Sequence, residues 1–179
     1  MSRPALATSL IDAGICIAPD SAGYDEAIDA LFDQGFGPGR FAKTAERLRE
    51  GNVERYDLSR VALKDGALVA AGKVWPIEIG GVPALFFGPF AVDIDERHHG
   101  LGRIIMESCI EAAIAAGERA MLLVGAASYF APSGFEIVPN GLLSLPGPVD
   151  PKRLQWRALR PGGLDGLSGA VTLPRAARP

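Results

Sequence analysis

Histidine and cysteine are nearly absent from this chain, with two of each in 179 residues. Cys16 and Cys109 cannot build a disulfide framework, and no Cys-x-x-Cys pair offers a zinc site. His98 and His99 are adjacent and have no third imidazole to complete a metal site, so no metal is expected. Long apolar runs are missing too, since none approaches the ~20 residues that span a bilayer. No early stretch joins a basic segment, a long apolar run and a cleavage site, so no secretory signal is expected. Positive charge is not in excess: 18 Lys and Arg stand against 21 Asp and Glu, a net charge of −3. That balance argues against a general nucleic-acid binder, whose affinity rests on a basic face that neutralises phosphates. The absences together predict a cytoplasmic protein with reduced thiols and with neither membrane nor nucleic acid as partner.

What remains is ordinary for one globular domain, 48% hydrophobic and 22% charged. A chain of this length buries roughly 70% of the surface its unfolded form exposes, enough to fold without a metal or disulfide staple. Gly14 to Pro19 reads as an opening strand. Asp20 to Asp33 carries Ile28, Leu31 and Phe32 at helical spacing, with Ser21 as an N-cap. Arg40 to Gly51 predicts a second short helix, with Phe41, Thr44, Ala45 and Leu48 on one face. Asp65-Gly66 is a two-residue hairpin signal between the strand at Val61 and the strand from Ala67 to Ile79. Gly80-Gly81 turns the chain into a third strand, Ala84 to Asp93. Gly88-Pro89 inside that strand marks a bulge, or a place where something approaches the backbone. Leu101 to Gly117 predicts a helix with Ile105, Cys109, Ala112 and Ala116 facing inward. Arg119 to Val124 predicts a buried strand parallel to the third one. Residues 1–145 read as the main body of the domain. Residues 146–179 read as one more strand near Arg153 to Ala158 and a loosely packed tail with weak periodicity.

The informative segment is Val92 to Arg103, VDIDERHHGLGR. A strand ends, a loop with two close glycines follows, and a helix begins at once. The first turn of a helix carries unsatisfied N–H groups and the positive end of the macrodipole, which suits a phosphate or pyrophosphate. Gly100 and Gly102 allow close backbone approach, while Arg97 and Arg103 add charge at the rim. By itself such a glycine-rich turn is only moderately specific.

This segment resembles the acetyl-CoA-binding motif of the GNAT acyltransferases, in which Arg or Gln, two residues, Gly, one residue, then Gly or Ala wraps the pyrophosphate. Phe90-Ala91-Val92 lies where the family has a bulged strand that pairs with the pantetheine arm. Met121 to Val124, Ser128 to Phe130 and Gly134-Phe135 follow in the family's order. The stretches Phe36 to Ala45 and Leu85 to Val92 resemble one bacterial subgroup of predicted N-acetyltransferases. The resemblance runs from about Gly14 to Ile137. It implies an α/β fold: a mixed, mostly antiparallel sheet flanked by helices and splayed where the parallel Phe90 and Leu122 strands part. It also implies donor-site residues Phe90, Ala91, Val92, His98, His99, Gly100, Leu101, Gly102 and Arg103.

The implied reaction moves an acetyl or similar short acyl group from CoA to the amine of a small molecule or peptide. Acetyl-CoA would be the co-substrate, and direct attack would be assisted by a strand N–H near Phe90 to Val92. Monomer and homodimer are both compatible with the sequence. Many family members have Pro at the position of Ile94 and Gly at that of His98, changes that leave backbone contacts to phosphate intact. The larger departure is Phe130, which stands where the family commonly carries a tyrosine as general acid to the departing thiolate. Tyr129 is the nearest proton donor and the catalytic candidate, although one residue on a helical turn rotates the side chain by about 100°. A base is not assigned: Glu78 is the nearest carboxylate on the preceding strand and reads as solvent-facing. The rival reading is an acyl-CoA-binding module with little catalysis; a tRNA-modifying toxin of this fold is disfavoured by the acidic balance. Gly37 to Thr44 nearly spells a P-loop but lacks the second glycine, and no strand precedes it. Cys109 reads as a buried small apolar residue, and Trp75 and Trp156 as core or cleft wall.

Overall fold

A computed structural model describes residues 14–37, 39, 44–97 and 100–175. The strands are β1 (Ile15–Pro19), β2 (Arg60–Lys64), β3 (Ala67–Ile79), β4 (Val82–Val92), β5 (Ala120–Val124), β6 (Glu136–Ile137), β7 (Leu143–Ser144), β8 (Leu154–Ala158) and β9 (Gly169–Thr172). The helices are α1 (Asp25–Phe36), α2 (Leu101–Ala115) and the single turn α3 (Ala127–Phe130), with 3-10 turns between them. The sheet order is β1-β2-β3-β4-β5-β8-β6, with β9 pairing β3 and β7. Its pairings are antiparallel except for β4 with β5 and β7 with β9. The expected mixed sheet with a parallel central pair is therefore present.

Local chemistry accounts for the central hairpins. Asp65 and Gly66 both hold positive φ, 50° and 84°, the twist a two-residue turn needs to match right-twisted strands. Alternation along β3 then separates two faces. Ala70 and Val74 pack under α2 with Ile105, Met106 and Cys109, while Ala71 joins Val61, Ala91 and the α1 residues Ile28, Leu31 and Phe32. Further along the sheet a third apolar cluster joins Ile77, Phe86, Leu122 and Trp156.

Some expectations are corrected. The first helix starts later, at Asp25, after a 3-10 turn, and Ser21 makes no side-chain cap. The second helix is a 3-10 turn over Thr44–Leu48; its expected start at Arg40 lies outside the described residues, as do His98 and His99. The buried stripe of α2 is Leu101, Ile105, Met106, Cys109, Ile110 and Ala113, whereas Ala112 is half-buried and Ala116 is exposed. Large Ile and Met side chains gain more from burial than alanine does, so they set the rotation of the helix. Within the described part of the C-terminal segment, β9 pairs with Glu78 and Ile79 of β3, and Leu167 and Val171 are buried against the third cluster.

Helix α2 crosses β3 at Gly72, where an added Cβ would lie 2.9 Å from Ile105 Cγ2 and 3.2 Å from the Phe87 ring. Gly72→Val is therefore expected to cost roughly 2 kcal/mol by overpacking. Urea unfolding should show the midpoint fall with the slope unchanged.

Candidate active site

The bulge anticipated at Gly88-Pro89 exists. Gly72 pairs with Phe90 and Val74 with Phe87, so two residues of β4 stand opposite Lys73 alone on β3. Trp75 Nε1 donates to Gly88 O at 2.8 Å and ties the bulge to the α1 side of the sheet. Beyond the bulge, β4 loses its other neighbour. It pairs with β5 only at Leu85 with Met121 and Phe86 with Leu122, and the strands then part. The end of β5 is held by buried Gln155, whose Nε2 donates to Gly125 O at 3.0 Å. Phe130 packs so closely over Gly125 that an added Cβ there would lie 2.1 Å from its ring.

The gap between the parted strands is an apolar groove of about 610 Å³ lined by Phe86, Phe87, Phe90, Leu123, Val124 and Phe130. Thr44, Ala45, Pro148 and Val149 also line it. These two segments are joined where Thr44 Oγ1 donates to Pro148 O at 2.6 Å. Along this gap no described strand pairs with the β5-side edge of β4, so its backbone groups are open to an extended ligand.

A second cavity, about 490 Å³, gathers Phe90, Ala91 and Val92 with Gly100, Leu101, Gly102 and Arg103. Seven of the nine donor-site residues named from the sequence thus share one wall; His98 and His99 are the two outside the described residues. Gly100 is the N-cap of α2 at φ 75°, a left-handed conformation that favours glycine, and as the capping residue it offers no side chain to the first-turn N–H groups. The first-turn N–H groups are consequently available to an anion. Glu96 lines the same cavity, but its carboxylate is paired with Lys64 Nζ at 2.5 Å, which limits repulsion of a phosphate.

Tyr129 lines both cavities. Its ring lies 6.2 Å from that of Phe90 and edge-on to Phe130 at 5.0 Å. The hydroxyl lies over Gly102, where an added Cβ would come within 2.6 Å of it. Burial raises the pKa of the phenol, so it stays protonated across the neutral range. Cys109 is fully buried, donates to Gly72 O at 3.5 Å, and is pushed up to about 12 by burial, which suits an inert thiol. Glu78 sits at the far end of the β3–β4 hairpin opposite Pro83, where it accepts from the Arg175 N–H at 3.2 Å. Five residue steps along β3, about 17 Å, separate it from Lys73 at the bulge. Trp156 is core, and Trp75 is cleft wall.

A third cavity was not legible in the sequence. It lies between α1 and the bulge, about 500 Å³, and includes Asp25, Glu54, Lys73, Trp75 and Pro89. Lys73 Nζ is held by Glu54 at 2.6 Å, Asp25 at 3.2 Å and Asp20 at 3.3 Å. The available signal was Lys73 itself, a single charge inside the otherwise apolar run ALVAAGKVW.

The acetyltransferase (GNAT) family model matches residues 23–135, which is more than half of the chain. The protein belongs to the GNAT acetyltransferase family. The solved GNAT N-acetyltransferase YhbS of Escherichia coli, in complex with CoA, is similar over 89% of each chain, with 24% identity and a TM-score of 0.76. A GNAT acetyltransferase of Brucella melitensis in complex with acetyl-CoA is 19% identical at a TM-score of 0.66, covering 93% of this chain and 99% of that one. An N-acetylglutamate synthase of Neisseria gonorrhoeae, complexed with coenzyme A and N-acetyl-glutamate, is 15% identical at a TM-score of 0.56; the match covers 82% of this chain and 35% of that one. No curated protein matches the chain in sequence. The GNAT fold and the expected family are thus shown. No described helix is long and apolar enough to cross a membrane.

Proposed function

We propose that this GNAT protein transfers an acetyl or similar short acyl group from CoA to the amine of a small molecule or peptide in the cytoplasm. The observation that carries this reading is the glycine-capped N-terminus of α2, set in one cavity beside the part of β4 that no described strand pairs with on the β5 side. The backbone of Gly100 to Arg103 would hold the pyrophosphate, and Phe90 to Val92 the pantetheine arm. The solved relatives that carry CoA or acetyl-CoA support the same reading. The thioester supplies the activated acyl group. This chain orients it along β4, and a strand N–H near Phe90 to Val92 stabilises the charge that develops on its carbonyl oxygen. Attack is direct and needs no metal, because a thiol of pKa ~8.5 leaves readily. Tyr129 is the candidate acid for the departing thiolate.

A second reading has one observation in its favour. Phe130 occupies the position of the family's usual acid and packs over Gly125 with no proton to give, as in an acyl-CoA-binding module with little catalysis. Incubation with acetyl-CoA and a panel of amines and peptides, following free thiol, separates the two. Amine-dependent thiol release is expected. Tight CoA binding without release from any panel member would favour the module.

A further inference from the structure

The α3 turn that presents Tyr129 is too short to place itself. It has four residues, no side chain caps its start, and Tyr129 is 47% exposed. Helical segments shorter than ~12 residues are marginal on their own, so outside contacts must set where this one lies. Those at its start run to the sheet. Gly125 N–H donates to Arg153 O at 2.9 Å, and Gly125 O accepts from buried Gln155. They leave open the distance between the turn and α2, the helix whose first residues line the donor cavity.

The far end of the turn sets that distance. The chain runs on from α3 into the 3-10 turn Ala131–Ser133, and Ser133 is only 4% exposed. Its Oγ donates to Glu107 Oε1 on α2 at 2.5 Å, and its carbonyl accepts from an Arg157 N–H on β8. The Arg157 guanidinium lies 4.0 Å from Glu107 Oε2 and closes a triangle. One small buried residue thus joins α2, the turn and the sheet through bonds to charged partners, the stronger class of hydrogen bond. Ser133 is four residues from Tyr129, about one helical turn, so a shift at one is passed to the other. The ring contacts of Tyr129 with Phe90 and Phe130 are apolar and do not by themselves fix the height of its hydroxyl above Gly102.

We propose that Ser133, held between Glu107 and Arg157, is the positioning residue for Tyr129 and keeps its hydroxyl over the first turn of α2. The weight of this brace for catalysis rests on the reading of Tyr129 as the acid. A group misplaced by 1 Å can lose up to ~10²-fold in rate, so a brace remote from the reacting atoms can set turnover.

The test follows Tyr129 by NMR in protein carrying 13C-labelled tyrosine. The chain has three tyrosines, Tyr24, Tyr56 and Tyr129, and the Tyr129 signal is the one that Tyr129→Phe removes. The rings of Phe90 and Phe130 displace that signal from its position in unfolded protein. Ser133→Ala and Glu107→Ala should each lose most of the displacement, while Glu107→Gln, which keeps an oxygen for the serine hydroxyl, should retain it. The Tyr24 and Tyr56 signals should hold still in all three variants. Glu107 is a half-buried helix position that accepts alanine, so it carries the test if Ser133→Ala does not fold. A contact that only stabilises the protein would lower the urea midpoint and leave the native Tyr129 signal in place. That result overturns the proposal, as does a Glu107→Gln signal that matches Glu107→Ala.

Turnover supplies the second readout, with any amine that the panel shows to be acetylated. Glu107→Ala should lower kcat ~10-fold with KM little changed, and should cost nothing further in Tyr129→Phe. An equal loss in that background means the brace acts through some other group and overturns the proposal. If no amine is acetylated, or Tyr129→Phe turns over as fast as the parent, the acid reading fails while the Tyr129 signal still decides the brace.

Discussion

Gly100→Val is expected to abolish calorimetric CoA binding while the protein keeps its circular-dichroism spectrum and a cooperative unfolding transition. Gly100 caps α2 at φ 75°, and a side chain in the left-handed region costs about 1–2 kcal/mol, most for a β-branched one. A domain can bear that strain, but the donor site cannot bear its position. The added methyl groups would occupy the mouth of the cavity lined by Gly100, Leu101, Gly102 and Arg103, where phosphate oxygens have to reach backbone N–H groups. Relaxing the strain would also turn those N–H groups away from a common point. Unchanged CoA affinity in a folded variant would remove the helix terminus from the donor site.

Tyr129→Phe is expected to lower turnover by the ~10²-fold typical of losing an acid–base group, with CoA affinity little changed. The substitution removes one oxygen and keeps the ring, so the contacts with Phe90 and Phe130 survive. Because burial raises the phenol's pKa, the proton is present through the whole neutral range and is lost only at higher pH. Activity in the parent protein should therefore hold through neutrality and fall on the alkaline side, and the variant should lose that fall. Unchanged turnover with weaker CoA binding would instead assign the hydroxyl, which lies over Gly102, to holding the donor. Phe130→Tyr is the complementary change and should raise activity. An inactive Phe130→Tyr protein that binds CoA would favour the binding module.

The parts of this molecule readable in advance are those written in neighbouring residues. Asp65-Gly66 predicts its hairpin because both positive-φ residues sit side by side. Gly88-Pro89 predicts its bulge because one proline removes a ladder donor. Gly100 and Gly102 open a helix directly after a strand, so an anion site can be inferred from a dozen residues. The acidic cleft has no such compact signature. Asp20, Asp25, Glu54 and Lys73 come from four segments, and only the folded sheet brings them around one ammonium. The buried stripe of α2 is legible only in part, at Ile105 and Cys109 but not at Ala112 and Ala116, for a related reason. Periodicity identifies a helix, but several stripes of this apolar helix could face inward, and packing against Gly72 and Phe87 selects one. Strand β9 is four residues long in a segment rich in glycine and proline, too short to show alternation. Its identity depends on the edge of β3 it docks against.

The hydrogen bond from Thr44 to Pro148 joins segments 104 residues apart, and Arg47 to Pro146 O at 3.3 Å reinforces the tie. The β2–β3–β4 meander, by contrast, is built from next-door pairings. Contacts of large sequence separation require more chain entropy to be surrendered before they return any energy, so they are slow to form. The cover of the groove is accordingly among the last parts of the molecule to assemble and the first to open. Ligand occupancy there would report completion of the fold, and a groove-filling molecule would act as a clamp between these two distant segments.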